Sequence, residues 1–81
     1  VFKSRFPREL LNEVKWKGFK LEDCTVQYIH RGAPGDVMAI SGKEITDIGR
    51  MYITLRDGGC IPYHRIVTIT YKGHAVFIKN R

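Results

Sequence analysis

Apolar residues follow two different rhythms along this 81-residue chain, and the change comes near Cys24. Before it, Leu10, Leu11 and Val14 recur at helical spacing within SRFPRELLNEVKWKG, which predicts a single helix. Pro7 suits the first helical turn, where its missing N–H leaves no bond unmade, and Gly18 is a natural terminator. Glu9 early in the segment and Lys15 and Lys17 late in it complement the helix dipole. Phe6 is placed to staple against Leu10 at the helix entry.

After Cys24 the rhythm shortens to that of strands broken by turn residues. CTVQYIHR is rich in β-branched and aromatic residues and runs into Gly-Ala-Pro-Gly-Asp. VMAI closes at Ser41-Gly42, and EITDIG is a weaker strand. RMYITLRDGG alternates, with Met51, Ile53 and Leu55 on one face and Arg50, Tyr52, Thr54 and Arg56 on the other. Asp57-Gly58-Gly59 then forms a hairpin turn, and Lys72-Gly73 turns CIPYHRIVTITY into HAVFIKN. The apolar parity switches within CIPYHRIVTITY, because Ile61 and Ile66 cannot share a face without a bulge between them. Pro62 cannot donate to a ladder, so the bulge is expected at Tyr63-His64-Arg65. The expected class is α+β: one N-terminal helix packed on a strongly bent antiparallel sheet of about five strands, or a small open barrel. Residues 1–81 read as one domain, without linker or long repeat.

Hydrophobic residues make up 43% of the chain, enough for a globular core. No apolar run approaches the roughly 20 residues needed to cross a bilayer, and no signal-like stretch opens the chain. A cytoplasmic domain without membrane contact is the expectation. Fourteen Lys and Arg against eight Asp and Glu give a net charge of +6, which makes a polyanion such as nucleic acid the first partner to consider. Cys24 and Cys60 are far apart and form neither a zinc motif nor a disulfide framework. Both read as small buried residues, with a bridge between them left open by the spacing. Trp16, Phe19 and Phe77 read as core or core-edge residues.

Two short stretches carry the candidate chemistry: YIHRGAPGD at 28–36 and YHRI at 63–66. Arginine offers a rigid fork of donors that matches phosphate oxygens, and a neighbouring histidine donates to the same group. His30 and Arg31 converge on one ligand only where the strand ends, and the Gly32-Ala33-Pro34-Gly35 breaker ends it there. The two glycines let backbone N–H groups turn toward an anion, although no Walker loop is present and a plain turn fits the stretch better. Asp36 suits capping that turn better than acting as a base. Two histidines and an arginine also supply the base, acid and cation for RNA cleavage through a cyclic phosphate. His74 reads as an exposed strand start, and three widely spaced histidines argue against a metal site. Arg50, Tyr52 and Arg56 together suit phosphate contacts with base stacking, or an ordinary solvent face.

PRELLNEVKW, YIHRGAPGD, EITDIGR and IPYHRI, in this order and spacing, resemble the RNA cyclic-group end recognition domain family, a small family common in archaea. The resemblance runs from about Arg5 to Phe77. It implies binding of RNA ends that carry a 2′,3′-cyclic phosphate or a related terminus, in RNA repair or processing. Position by position it points to His30, Arg31, Gly32 and Asp36, to Arg50, and to Pro62, His64 and Arg65. The expectation is a module that binds a single-stranded RNA end without cofactor or metal, working with an RNA-processing enzyme. A metal-independent ribonuclease or cyclic phosphodiesterase using the two histidines is one rival. A protein-interaction module with a pairing edge strand is the other.

Overall fold

The helical rhythm is realised as α1 (Pro7–Trp16) in a computed structural model that describes residues 6–79. Pro7, Leu10, Leu11 and Val14 are its buried face. The end is a Schellman arrangement: the Phe19 N–H donates to the Val14 carbonyl at 2.9 Å and the Gly18 N–H to Lys15 at 3.1 Å. A Glu13–Lys17 ion pair at 2.6 Å lies along the surface one turn apart.

Two expectations for this segment fail. Phe6 is the N-cap itself, whereas a staple needs the residue before the cap, so its ring remains 65% exposed. Trp16 is 85% exposed rather than part of the core, because it lies about 200° round the helix from Val14.

Among the described residues seven strands follow: β1 (Cys24–Ile29), β2 (Val37–Ser41), β3 (Ile45–Ile48), β4 (Tyr52–Leu55), β5 (Cys60–Pro62), β6 (Ile66–Tyr71) and β7 (His74–Ile78). They form two antiparallel sheets, of order β2-β1-β6-β7 and β3-β4-β5. The α+β class with an N-terminal helix therefore stands, with seven strands in two sheets where about five in one bent sheet were expected. The difference arises mainly in CIPYHRIVTITY, which contains β5 and β6, one in each sheet. A 3₁₀ turn at Tyr63–Arg65 separates them in place of the expected bulge. The parity switch between Ile61 and Ile66 thus marks where the chain leaves one sheet for the other.

Both sheets and the helix bury residues in a single core. Leu10 and Leu11 come from α1, Val26, Ile66 and Ile69 from the four-stranded sheet, and Ile45, Ile53 and Ile61 from the three-stranded one. Each such side chain contributes roughly 1.5–3 kcal/mol when fully buried. Phe19 and Phe77 are half-buried as expected, Phe19 meeting Tyr71 edge-to-face at 5.4 Å. Gly42 lies so close to the Leu21 carbonyl that a Cβ there would overlap it.

The cysteines divide. Cys24 is buried, and Cys60 is exposed because it alternates with buried Ile61 on β5. Both are free thiols. Burial, with the nearby Asp23 charge adding to it, pushes the Cys24 thiol up to about 11. Among the described residues, no helix is long and apolar enough to cross a membrane.

Candidate functional site

The first His-Arg segment begins where β1 ends. His30 and Arg31 open an exposed loop that returns to β2 at Val37. The loop is shaped by its own backbone: the His30 N–H donates to the Asp36 carbonyl at 2.8 Å, Ala33 to His30 at 3.2 Å and Asp36 to Ala33 at 2.8 Å. Gly32 and Asp36 adopt positive φ of 94° and 58°, and the Gly32 N–H donates to the Asp36 carboxylate at 3.4 Å. Asp36 thus caps the turn, as its residue type predicts, and supplies the anion that the Gly32 N–H faces. The His30 ring stands edge-on to Tyr28, with centroids 6.2 Å apart.

The second segment is the 3₁₀ turn that crosses between the sheets. Pro62 is its N-cap, with φ of −63°, and the Ile66 N–H closes the turn on the Tyr63 carbonyl. Three contacts tether it. The Tyr63 N–H donates to the Met51 carbonyl at 3.3 Å, the Tyr63 hydroxyl to Gly49 at 2.5 Å, and the Lys79 ammonium to the His64 carbonyl at 2.5 Å. The Gly49 carbonyl also accepts from Arg8 Nε at 3.2 Å, which ties the start of α1 to the same point. Burial raises the Tyr63 phenol above its ordinary value; the Arg8 charge pulls it down and Asp47 pushes it up.

Strand register brings these parts to one end of the molecule. Tyr28 pairs with Ile66, so His30 leaves β1 at the end of the sheet where Arg65 leads into β6. Tyr52 pairs with Pro62, so Arg50 enters β4 at the end where β5 gives way to the crossover turn. His30, Arg31, Arg50, His64 and Arg65 are all exposed. Among the described residues, the side chains of Arg31, Arg50 and Arg65 have no hydrogen-bond or acidic partner. Arg8 and Arg56, by contrast, are committed to backbone carbonyls. Fixed cations without partners are free to meet an anion.

Other expected members lie elsewhere. The face of Arg50, Tyr52 and Arg56 does not form, because β4 is only Tyr52–Leu55 and Arg56 turns away to donate to the Lys43 carbonyl at 3.0 Å. Met51, expected to share a face with buried Ile53, precedes the strand and is exposed. His74 is exposed at the start of β7, opposite Tyr71, at the far end of the sheet from His30. No group of three or more His, Cys, Asp or Glu side chains among the described residues could hold a metal ion. The reading of single residues missed the anchoring role of Tyr63, for which YHRI offered the residue but not its contact. It also missed an apolar groove beside the crossover turn, built from both ends of the chain.

The chain matches the model of the MJ1316 RNA cyclic group end recognition domain over residues 5–81. A UPF0248 protein of Pyrobaculum islandicum is 32% identical over 77 residues, covering 91% of this chain and 88% of that protein. A UPF0248 protein of Archaeoglobus fulgidus is 35% identical over 68 residues, covering 83% and 96%. One from Thermococcus sibiricus is 35% identical over 77 residues, covering 94% and 86%. No solved structure matches significantly. With the model matched across nearly its whole length, the chain belongs to the MJ1316 RNA cyclic group end recognition domain family.

Proposed function

We propose that this protein binds processed RNA ends, those bearing a 2′,3′-cyclic phosphate or a related terminal phosphate, as a cytoplasmic module in RNA repair or processing. The observation that carries this reading is that strand register leaves three arginines without a partner among the described residues, and two histidines, at the same end of the sheets. Arg31 and Arg65 would hold the terminal phosphate through their forked donors, and Arg50 would meet the adjoining backbone. His30 and His64 would contact phosphate oxygens or a ribose hydroxyl. Gly32 and Asp36 would serve by shaping the first loop, and Pro62 by starting the second turn. The family description, which names RNA cyclic group ends, points the same way. A larger RNA-processing enzyme is the expected partner.

One short RNA ending in cyclic phosphate, 3′-phosphate or hydroxyl tests the reading. Both phosphorylated ends should bind more tightly than the hydroxyl end. Affinity should fall with salt at a log–log slope of about −2 to −3, as three or four phosphate contacts to a single strand require. Equal affinity for all three ends would overturn end recognition. Steady opening of the cyclic phosphate, abolished by His30→Ala or His64→Ala while binding survives, would make the site a two-histidine enzyme instead.

A further inference from the structure

Beside the crossover turn lies a groove of about 440 Å³, bounded by the start of α1, the turn itself and the end of β7. That size falls within the range of roughly 300–1,000 Å³ usual for small-ligand sites. Three aromatic rings line it, Phe6, Tyr63 and Phe77, with Ile66 among its apolar residues. Its charged or titratable polar members are Tyr63, His64 and Lys79, and among the described residues no carboxylate lines it. The Phe6 ring neither staples the helix nor enters the core, so the fold leaves most of it in water. His64 belongs both to this groove and to the cationic end of the sheets.

We propose that the groove takes the terminal nucleobase of the RNA whose end phosphate lies at the His-Arg turn, an inference that rests on the RNA-end reading of that turn. A flat ring matches an aromatic lining, because every base has a face that stacks. The cationic rim, with no carboxylate among the described lining residues, suits a ligand that continues into phosphate and disfavours a basic peptide. Sharing His64 places base and phosphate within one nucleotide of each other. Among the described residues no side-chain amide or carboxylate lines the groove, and stacking on an aromatic ring does not distinguish one base from another.

The experiment uses the whole chain and two short RNAs ending in cyclic phosphate, one with an intact terminal nucleotide and one whose terminal ribose lacks its base. Removing the base should weaken binding roughly 5- to 100-fold, the span of one base–aromatic stack. Phe6→Ala should weaken the intact RNA and leave the abasic one unchanged; the ring is exposed, so the fold should tolerate its loss. Phe77→Leu, which keeps an apolar side chain in place, should act in the same direction. Arg65→Ala should weaken both RNAs. If both RNAs bind equally while Arg65→Ala weakens each, end recognition stands and the proposal falls. If neither Arg31→Ala nor Arg65→Ala affects either RNA, the RNA-end reading falls and takes the groove proposal with it.

Discussion

In the loop between β1 and β2, the hydrogen bonds that shape the backbone around His30 and Arg31 come from residues 30–36 themselves. Around His64 and Arg65 the tethers come from Met51, Gly49 and Lys79, and through Gly49 from Arg8 on the helix. The two dipeptides are the same, yet one is held locally and the other by the tertiary fold. The loop presents its cation wherever β1 and β2 are paired. The crossover turn presents its cation only when both sheets and α1 are in place. A site built from both halves therefore reports on the assembly of the whole domain.

The sharpest way to break this contrast is Ile66→Ala. Ile66 is fully buried directly after the crossover turn, so truncation should cost about 2–5 kcal/mol in denaturant unfolding. Arg31→Ala, in the exposed loop, should change stability by no more than about 0.5 kcal/mol. Comparable losses at the two sites would remove the distinction between local and tertiary support.

Alkaline titration should weaken both halves together through Cys24. Folding raises its thiol from 9.0 to about 11, so the neutral form is the one the fold favours. The associated stability, about 2–3 kcal/mol, is intact below pH 9 and is lost as pH rises through about 11. Denaturant curves across that window should show Cys24→Ala losing less stability than the parent; parallel curves would contradict this linkage.

RNA binding sharpens the comparison from the other side. Arg31→Ala and Arg65→Ala should each weaken end binding by about 1.5–3 kcal/mol, the range for hydrogen bonds to charged groups. Arg→Lys should restore only part of it, because a point charge lacks the fork. Isothermal titration with a phosphate-ended RNA measures both. A loss at one arginine only would show that the halves do not share the ligand.

The smallest expected effect is the most diagnostic. Tyr63→Phe removes the hydroxyl bond to Gly49 and should cost about 1 kcal/mol of stability. In a double-mutant cycle of RNA binding, it should couple to Arg65→Ala by about 0.5 kcal/mol or more and add independently to Arg31→Ala. Equal coupling to both would mean that Tyr63 does not act through its own turn.

Much of this organisation is legible in sequence because it is encoded by neighbours. Pro7, the Leu10-Leu11-Val14 stripe and Gly18 define α1, and Asp36 betrays its capping role by its place after Pro34-Gly35. The division into two sheets is harder to see, since a parity switch between Ile61 and Ile66 fits either a bulge or a crossover turn. The exposure of Trp16 and Cys60 depends on which face each element turns inward, and residue type alone favours burial for both. For the candidate site, the motifs are visible but their meeting is not, because it depends on the long-range pairing of Tyr28 with Ile66. The groove has no sequence pattern at all, as Phe6 and Lys79 come from opposite ends of the described chain.

That same pairing orders the folding reaction. The β1–β2 and β6–β7 pairs and the β3-β4-β5 meander join neighbours in sequence, and the meander's turns close between residues 48 and 53 and between 54 and 60. Joining residues 28 and 66 closes a much longer loop, at about 1.5 kcal/mol more chain entropy. The hairpins are therefore expected to form first, and the docking of β1 on β6 to complete the domain. Substitutions at Val26 and Ile69, which pair across that seam, should accordingly speed unfolding more than they slow folding, as chevron analysis would reveal. On this route the cationic end of the protein is the last part to exist.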